Sequence, residues 1–264
     1  MIATVAGVLV LQRDSGSGSS SDATSAGPDD PVLDAKMRRL AFYDWESKVI
    51  GPDGRPAPGD PAVTGGPDAG SAGSLSLYDA VLRAAARPGR AEPDNARTTT
   101  LYYAADRARR RVFGRGAPSR EQAVAAVPAA ERRGVRVHEV KPDTAIVAAT
   151  GAADRWYVLD DDVALRGSEI RDPRRTRDPA SGQEAILFSF TEPGRARFKA
   201  LTQAIARRGA ASSLERVHDD PQLHNQHFAV VYDGKLVTIP FVDFRRNPDG
   251  LDASAGSQLL ARLP

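Results

Sequence analysis

The chain has 264 residues, 41% of them apolar, enough for one large or two small cored domains. A formal net charge of +2, with basic residues scattered along the sequence, argues against a nucleic-acid binder, whose footprint is a patch or stripe. The absence of cysteine excludes disulfides, thiolate nucleophiles and Cys-based metal sites.

Residues 2–11 are apolar apart from Thr4 and Gly7. Spanning a bilayer core takes about 20 such residues. No Lys or Arg precedes the run, and no clean small-x-small cleavage site follows it, as a signal peptide would require. The expectation is a shortened membrane anchor or signal remnant, with an apolar strand or frayed tail as the alternative. Residues 12–31 are rich in Ser, Gly and Asp and bury too little to order themselves, so 1–31 reads as anchor plus disordered linker. An anchor would place the remainder outside the cytoplasm.

Order is expected from Val32, with a short helix and then a strand that carries Phe42, Tyr43 and Trp45 as core aromatics. Residues 51–74 are dense in Gly, Pro and Asp and read as a disordered loop. Gly65, Gly66 and Asp68 lack the leading strand and the closing Gly-Lys of a phosphate cradle. Residues 74–87 predict a helix capped by Ser74 or Ser76. Short strands at 101–103 and 110–113 form a possible hairpin, and Ser119 caps a helix over 119–127 with Gln122 at capping-box spacing. Strands are predicted at 135–140, 144–149 and 156–159, with Lys141-Pro142-Asp143 turning between the first two. Asp160-Asp161-Asp162 reads as a solvated turn.

Residues 185–190 predict a strand. Thr191 caps the next helix, Pro193 sits in its first turn, and Gly209 is placed as the glycine that ends it. Asp233-Gly234, between two apolar runs, is the dipeptide that best tolerates the positive φ angles of a two-residue hairpin turn. Strand, helix and hairpin give a β-α-β-β unit. The fold class is therefore α+β, with helices packed on one face of antiparallel or mixed sheets.

Several segments then fall in a telling order. Leu165-Arg166-Gly167-Ser168-Glu169-Ile170 is followed by Asp172. Next come the strand Ile186-Leu187-Phe188-Ser189-Phe190, a helix with Gly194, Phe198 and Thr202, and the hairpin over 228–240. Over roughly 158–258 this order resembles the first extracytoplasmic domain of the SecD branch of the SecD/SecF protein-export family, with its head subdomain at about 183–240. Residues 40–122 also resemble the front half of SecD-like proteins from high-GC bacteria. With the anchor or signal remnant and linker read at 1–31, the chain divides into a base region at 32–160 and a SecD-like segment at 161–264. The resemblance implies contact with unfolded polypeptide and Sec-type translocase components, on the extracytoplasmic side of a membrane; no cofactor and no nucleic acid are expected from the motifs and charge. The family's proton-handling residues lie in transmembrane helices not found in this sequence, so the motor role does not carry over.

No residue is singled out as catalytic, cofactor-binding or metal-binding. His218, His224 and His227, with Asp219 and Asp220, could supply metal ligands, which leaves a small metal-dependent hydrolase as the alternative. Their loop setting lacks the helical frame that preorganises such sites. No Gly-x-Ser-x-Gly elbow or dinucleotide fingerprint is present. A remnant without motor activity is a third reading. Arg195, Arg197, Lys199, Arg207 and Arg208 form a basic helix face, read as solvated, with Arg207 and Arg208 favouring the helix dipole; contact with anionic lipid or an acidic client segment is the sharper reading.

Overall fold

The computed structural model describes residues 10–12, 30–50, 74–89, 99–149, 155–177, 182, 184–215, 220–253 and 258–261. Its elements begin with β1 (Val10–Gln12), α1 (Pro31–Met37), β2 (Leu40–Asp44), α2 (Trp45–Lys48) and α3 (Leu77–Ala86). There follow β3 (Leu101–Asp106), β4 (Arg111–Ala117), α4 (Arg120–Ala125), β5 (Val135–Val140), β6 (Thr144–Ala149) and β7 (Trp156–Asp160). The last are β8 (Leu165–Arg166), β9 (Ile170–Arg177), β10 (Glu184–Phe190), α5 (Glu192–Glu215), β11 (Gln226–Tyr232), β12 (Lys235–Thr238), β13 (Phe241–Val242) and β14 (Gln258–Ala261). Helices and antiparallel sheets make this an α+β fold. The described residues fall into two compact units.

The first unit holds the described residues 10–12, 30–46 and those from 164 onward. One sheet runs in the order β1-β14-β10-β9. In the other, β11 pairs antiparallel with β12, β13 and β2, and β2 pairs with β8. Asp30 caps α1 by accepting from the Val32 and Leu33 amides, at 3.0 and 3.1 Å. Thr191 caps α5 by accepting from the Gly194 amide at 3.2 Å. Helix α5 is held by Phe198, Leu201 and Ile205, which are buried with Leu33, Met37, Phe42, Phe188, Phe190 and Phe228. The Phe198 ring lies 5.1 Å from Phe190 and 5.7 Å from Phe228, within the range of favourable aromatic pairs. The β11–β12 turn is the one its sequence predicts: Asp233 and Gly234 have φ of 49° and 73°.

Between β8 and β9 a 3-10 turn spans Gly167–Glu169. A Cβ on Gly167 would stand 1.8 Å from the Met37 carbonyl oxygen, so the chain passes the end of α1 at a distance only glycine allows. Glu169 ties this turn together. Its carboxylate accepts from the Arg166 amide at 3.1 Å and pairs with Arg197 of α5 at 3.1 Å, and its carbonyl accepts from the Thr191 amide at 2.8 Å.

The second unit holds residues 47–50 and the described stretches from 74 to 163. It contains the β6–β7 hairpin, a three-stranded antiparallel sheet ordered β4-β3-β5, and helices α3 and α4. Ser76 caps α3 and Ser119 caps α4. Ala80, Val81 and Ala84 of α3 are buried with Tyr103, Val140 and Val158. Strands β3 and β4 close on a tight turn in which the Asp106 carboxylate accepts from the Ala108 and Arg109 amides, at 2.8 and 3.1 Å, and from the Arg109 guanidinium at 2.7 Å. These bonds, the guanidinium first, hold the Asp106 carboxyl below the usual carboxylate range. A lowered folded pKa gives stability that is present above about pH 4 and fades as pH falls through the folded value. Asp106→Ala is expected to lower the melting temperature at pH 7, with the gap to the parent closing as pH falls towards 3. A gap that stays constant with pH would show that the turn does not use the charge.

The structure departs from the sequence reading in three respects. Helix α5 does not end at Gly209 but continues to Glu215. Gly209 is buried inside it, where a Cβ would stand 2.8 Å from the His224 carbonyl oxygen and 3.0 Å from the Phe244 ring. Arg207 and Arg208 therefore lie two turns short of the helix end, and the dipole argument for them falls. Asp160-Asp161-Asp162 is not a solvated turn: Asp161 is buried, Asp160 pairs with Arg87, and Asp162 pairs with Lys48 at 2.5 Å. The 141–143 turn lies where the sequence places it, and because β5 pairs with β3 whereas β6 pairs with β7, it joins two sheets. The strand-helix-hairpin order of the β-α-β-β unit holds, with β10 in one sheet and the hairpin in another.

Candidate functional site

The densest polar grouping in the first unit forms where β2 ends beside the start of β11 and the C-terminal half of α5. Register places Asp44 opposite Phe228, and Glu46, two residues past that pair in α2, reaches His227, while Asp44 meets Arg208 of α5. Both Glu46 oxygens accept from the His227 amide at 2.9 Å, and Oε1 also accepts from the ring Nδ1 at 2.6 Å. A carboxylate at that position selects the Nδ1–H form of the ring. The two side chains are 9% and 4% exposed, so the pair is shielded from water. One turn away, Arg208 donates from Nη2 to Asp44 at 2.5 Å and from Nε to Gln226 at 2.8 Å. The Ser212 hydroxyl meets His224 Nδ1 at 3.0 Å.

These bonds tie the end of β2, the start of β11 and the C-terminal half of α5 together. The hydroxyl of Ser212 and the carboxylate of Glu46 engage different imidazoles, His224 and His227, so these four side chains do not form a serine-histidine-acid relay. Among the described residues no group of three or more His, Asp or Glu side chains stands close enough to hold a metal. His218 and Asp219, named with His224 and His227 as candidate ligands, lie outside the described residues, as do Gly65, Gly66 and Asp68. Asp220 accepts from the Gln222 amide at 3.0 Å and caps a short 3-10 turn, Pro221–His224.

Around this polar seam the surface is apolar at a few points. Leu214 near the end of α5 is 78% exposed, Leu223 in the 3-10 turn 43%, and Phe241 on β13 38%. The Ser212–His224 contact brings the turn that carries Leu223 against the helix end that carries Leu214. Phe241 stands opposite His227 in register, its ring 6.5 Å from the imidazole. Of the five basic residues on α5, Arg197 and Arg208 are internal ties, to Glu169 and Asp44. Arg195, Lys199 and Arg207 have no ion-pair partner among the described residues.

Strand β9 lies at an edge of the four-stranded sheet. It carries Arg171, Arg174, Arg175 and Arg177, has Pro173 in its run, and shifts register against β10 between Leu187 and Ser189. Charge, proline and bulge are the devices that keep a sheet edge from accepting another strand. Sequence reasoning missed Asp44, Glu46 and Ser212 as partners, because nothing local links Glu46 to a histidine 181 positions away.

Strand, helix, hairpin and capping turns in this order make up the α+β unit that carries these residues. Residues 144–250 match the family model described as SecDF, P1 head subdomain. That span, 107 of the 264 residues, is SecD-like, and protein export is the setting of the family it resembles. It takes in β6 to β13, with the Gly167 turn, α5 and the Asp233-Gly234 hairpin. Residues 40–122 lie before it. No curated protein and no solved structure matches the chain. Among the described residues no helix is long and apolar enough to cross a membrane.

Proposed function

We propose that the chain is a non-enzymatic, extracytoplasmic SecD-like module of protein export, tethered at a membrane through its N-terminal segment, that docks extended polypeptide or a component of the export machinery. The observation that carries this reading is the SecDF P1 head match over 144–250. Supporting it are the exposed Leu214, Leu223 and Phe241, set around a rigid, buried polar seam. Exposed apolar side chains on a preorganised frame suit a client presenting scattered hydrophobic residues. The guarded edge of β9 favours docking on this face over strand addition there.

The test is binding of a fluorescent unfolded secretory polypeptide to the full chain, followed by anisotropy. Leu214→Ser, Leu223→Ser and Phe241→Ser combined should weaken binding roughly tenfold or more, since each apolar side chain removed forfeits about 1–2 kcal/mol of burial. Because these side chains are exposed, the melting temperature should hold. Unchanged affinity would contradict docking on this face.

A further inference from the structure

Basic residues that look scattered along the sequence are gathered by pairing in the second unit. Asp106 at the end of β3 pairs with Arg111 at the start of β4 and with Val135 at the start of β5, and Ala105 pairs with Arg136. One end of the three-stranded sheet therefore presents two neighbouring turns, 107–110 and 132–134. Arg107, Arg109, Arg110, Arg111, Arg132, Arg133 and Arg136 all sit there, and all are exposed. Three carboxylates face them, each with its own guanidinium: Asp106 with Arg109 at 2.7 Å, Asp79 with Arg110 at 2.6 Å, and Glu131 with Arg111 at 3.1 Å. Arg132 donates to the Val127 carbonyl at 3.3 Å. Among the described residues Arg107, Arg132, Arg133 and Arg136 have no carboxylate partner, so this end of the sheet is strongly electropositive.

We propose that this end of the sheet docks on an anionic phospholipid surface. Two adjacent exposed turns that carry unpaired guanidinium groups suit an array of phosphates, each of which can take such a group. Guanidinium forks match phosphate oxygens in pairs. The nearby rings are already capped by arginines: Tyr78 by Arg110 at 5.1 Å, Phe113 by Arg111 at 4.7 Å and Tyr102 by Arg120 at 5.5 Å. That leaves these rings closed to the base stacking used for single-stranded nucleic acid. These residues belong to the second unit and Leu223 to the first, and the proposal relies on the export reading only to place the chain beside a membrane.

Co-sedimentation of the full chain with vesicles tests this. The protein should bind vesicles containing about 30% phosphatidylglycerol, remain free of pure phosphatidylcholine, and be released at about 0.5 M salt, where exposed charges are screened. Arg107→Glu, Arg133→Glu and Arg136→Glu combined should lower partitioning at least about tenfold while the melting temperature holds. Client binding at the Leu223 face, measured on the same variant, should be unchanged, which separates failure of this proposal from failure of the export reading. Equal partitioning of parent and variant, no preference for the anionic vesicles, or capture by poly-glutamate or DNA with no vesicle binding would each overturn it.

Discussion

Gly167→Ala is expected to destabilise the first unit by about 3 kcal/mol or more, at the upper end of what forced overpacking costs. The added Cβ would stand 1.8 Å from the Met37 carbonyl oxygen, and the next nearest atoms are also backbone, of Met37 and the capping Arg38, at 2.8 and 2.9 Å. No side-chain rotation relieves a clash with backbone. Either the end of α1 moves, uncovering Leu33 and Met37, or the Gly167–Glu169 turn shifts and loosens the Glu169 ties to Arg197 and Thr191. Set against a total stability of about 5–15 kcal/mol, that loss is large. Hydrogen exchange followed by mass spectrometry reads it unit by unit. Protection should fall in β2, β10 and α5 and hold in α3 and β3. Parent-like protection throughout would show that α1 and the turn do not approach this closely.

Phe198→Ala should cost about 3–5 kcal/mol, the range for removing a large buried ring. Phe198 is fully buried, and three rings close on it: Phe190 at 5.1 Å, Phe228 at 5.7 Å and Phe42 at 6.4 Å. These rings come from β10, β11 and β2, so Phe198 is where α5 joins strands of both sheets in the first unit. Phe198→Leu, which keeps most of the volume, should cost less than about 1.5 kcal/mol. Denaturant melts of the two variants separate cavity from ring. Equal, small losses would mean that the site collapses around the gap or that α5 is held elsewhere.

Features set by near neighbours were legible in the sequence. Asp233-Gly234 announced its turn because the dipeptide itself tolerates positive φ. Ser76, Ser119 and Thr191 announced their helices because a cap is a bond across three residues. The aromatics Phe42, Tyr43 and Trp45 are buried, as large rings usually are. Features set by distant contacts were not. Gly209 reads locally as a helix terminator, yet its requirement comes from His224 and Phe244 passing close by. The acidic triplet at 160–162 reads as solvated because its partners, Arg87 and Lys48, lie far back in the chain. Glu46 gave no sign of facing His227, and the arginines of 107–136 gave no sign of sharing one sheet end until β3 paired with both β4 and β5. The SecD-like order was legible because it is a sequence of local signals, and the match begins at Thr144, ahead of the span read from those signals.

Docking of extended polypeptide at the Leu223 face is tested most directly by site-specific photo-crosslinking during export of a secretory precursor. A photoreactive residue replaces Leu223 in one variant and exposed Glu121 of α4 in another. The proposed function predicts crosslinks to the unfolded precursor from position 223, lost once the precursor has folded, and none from position 121. Crosslinks absent from position 223, or equally frequent at both positions, would contradict it.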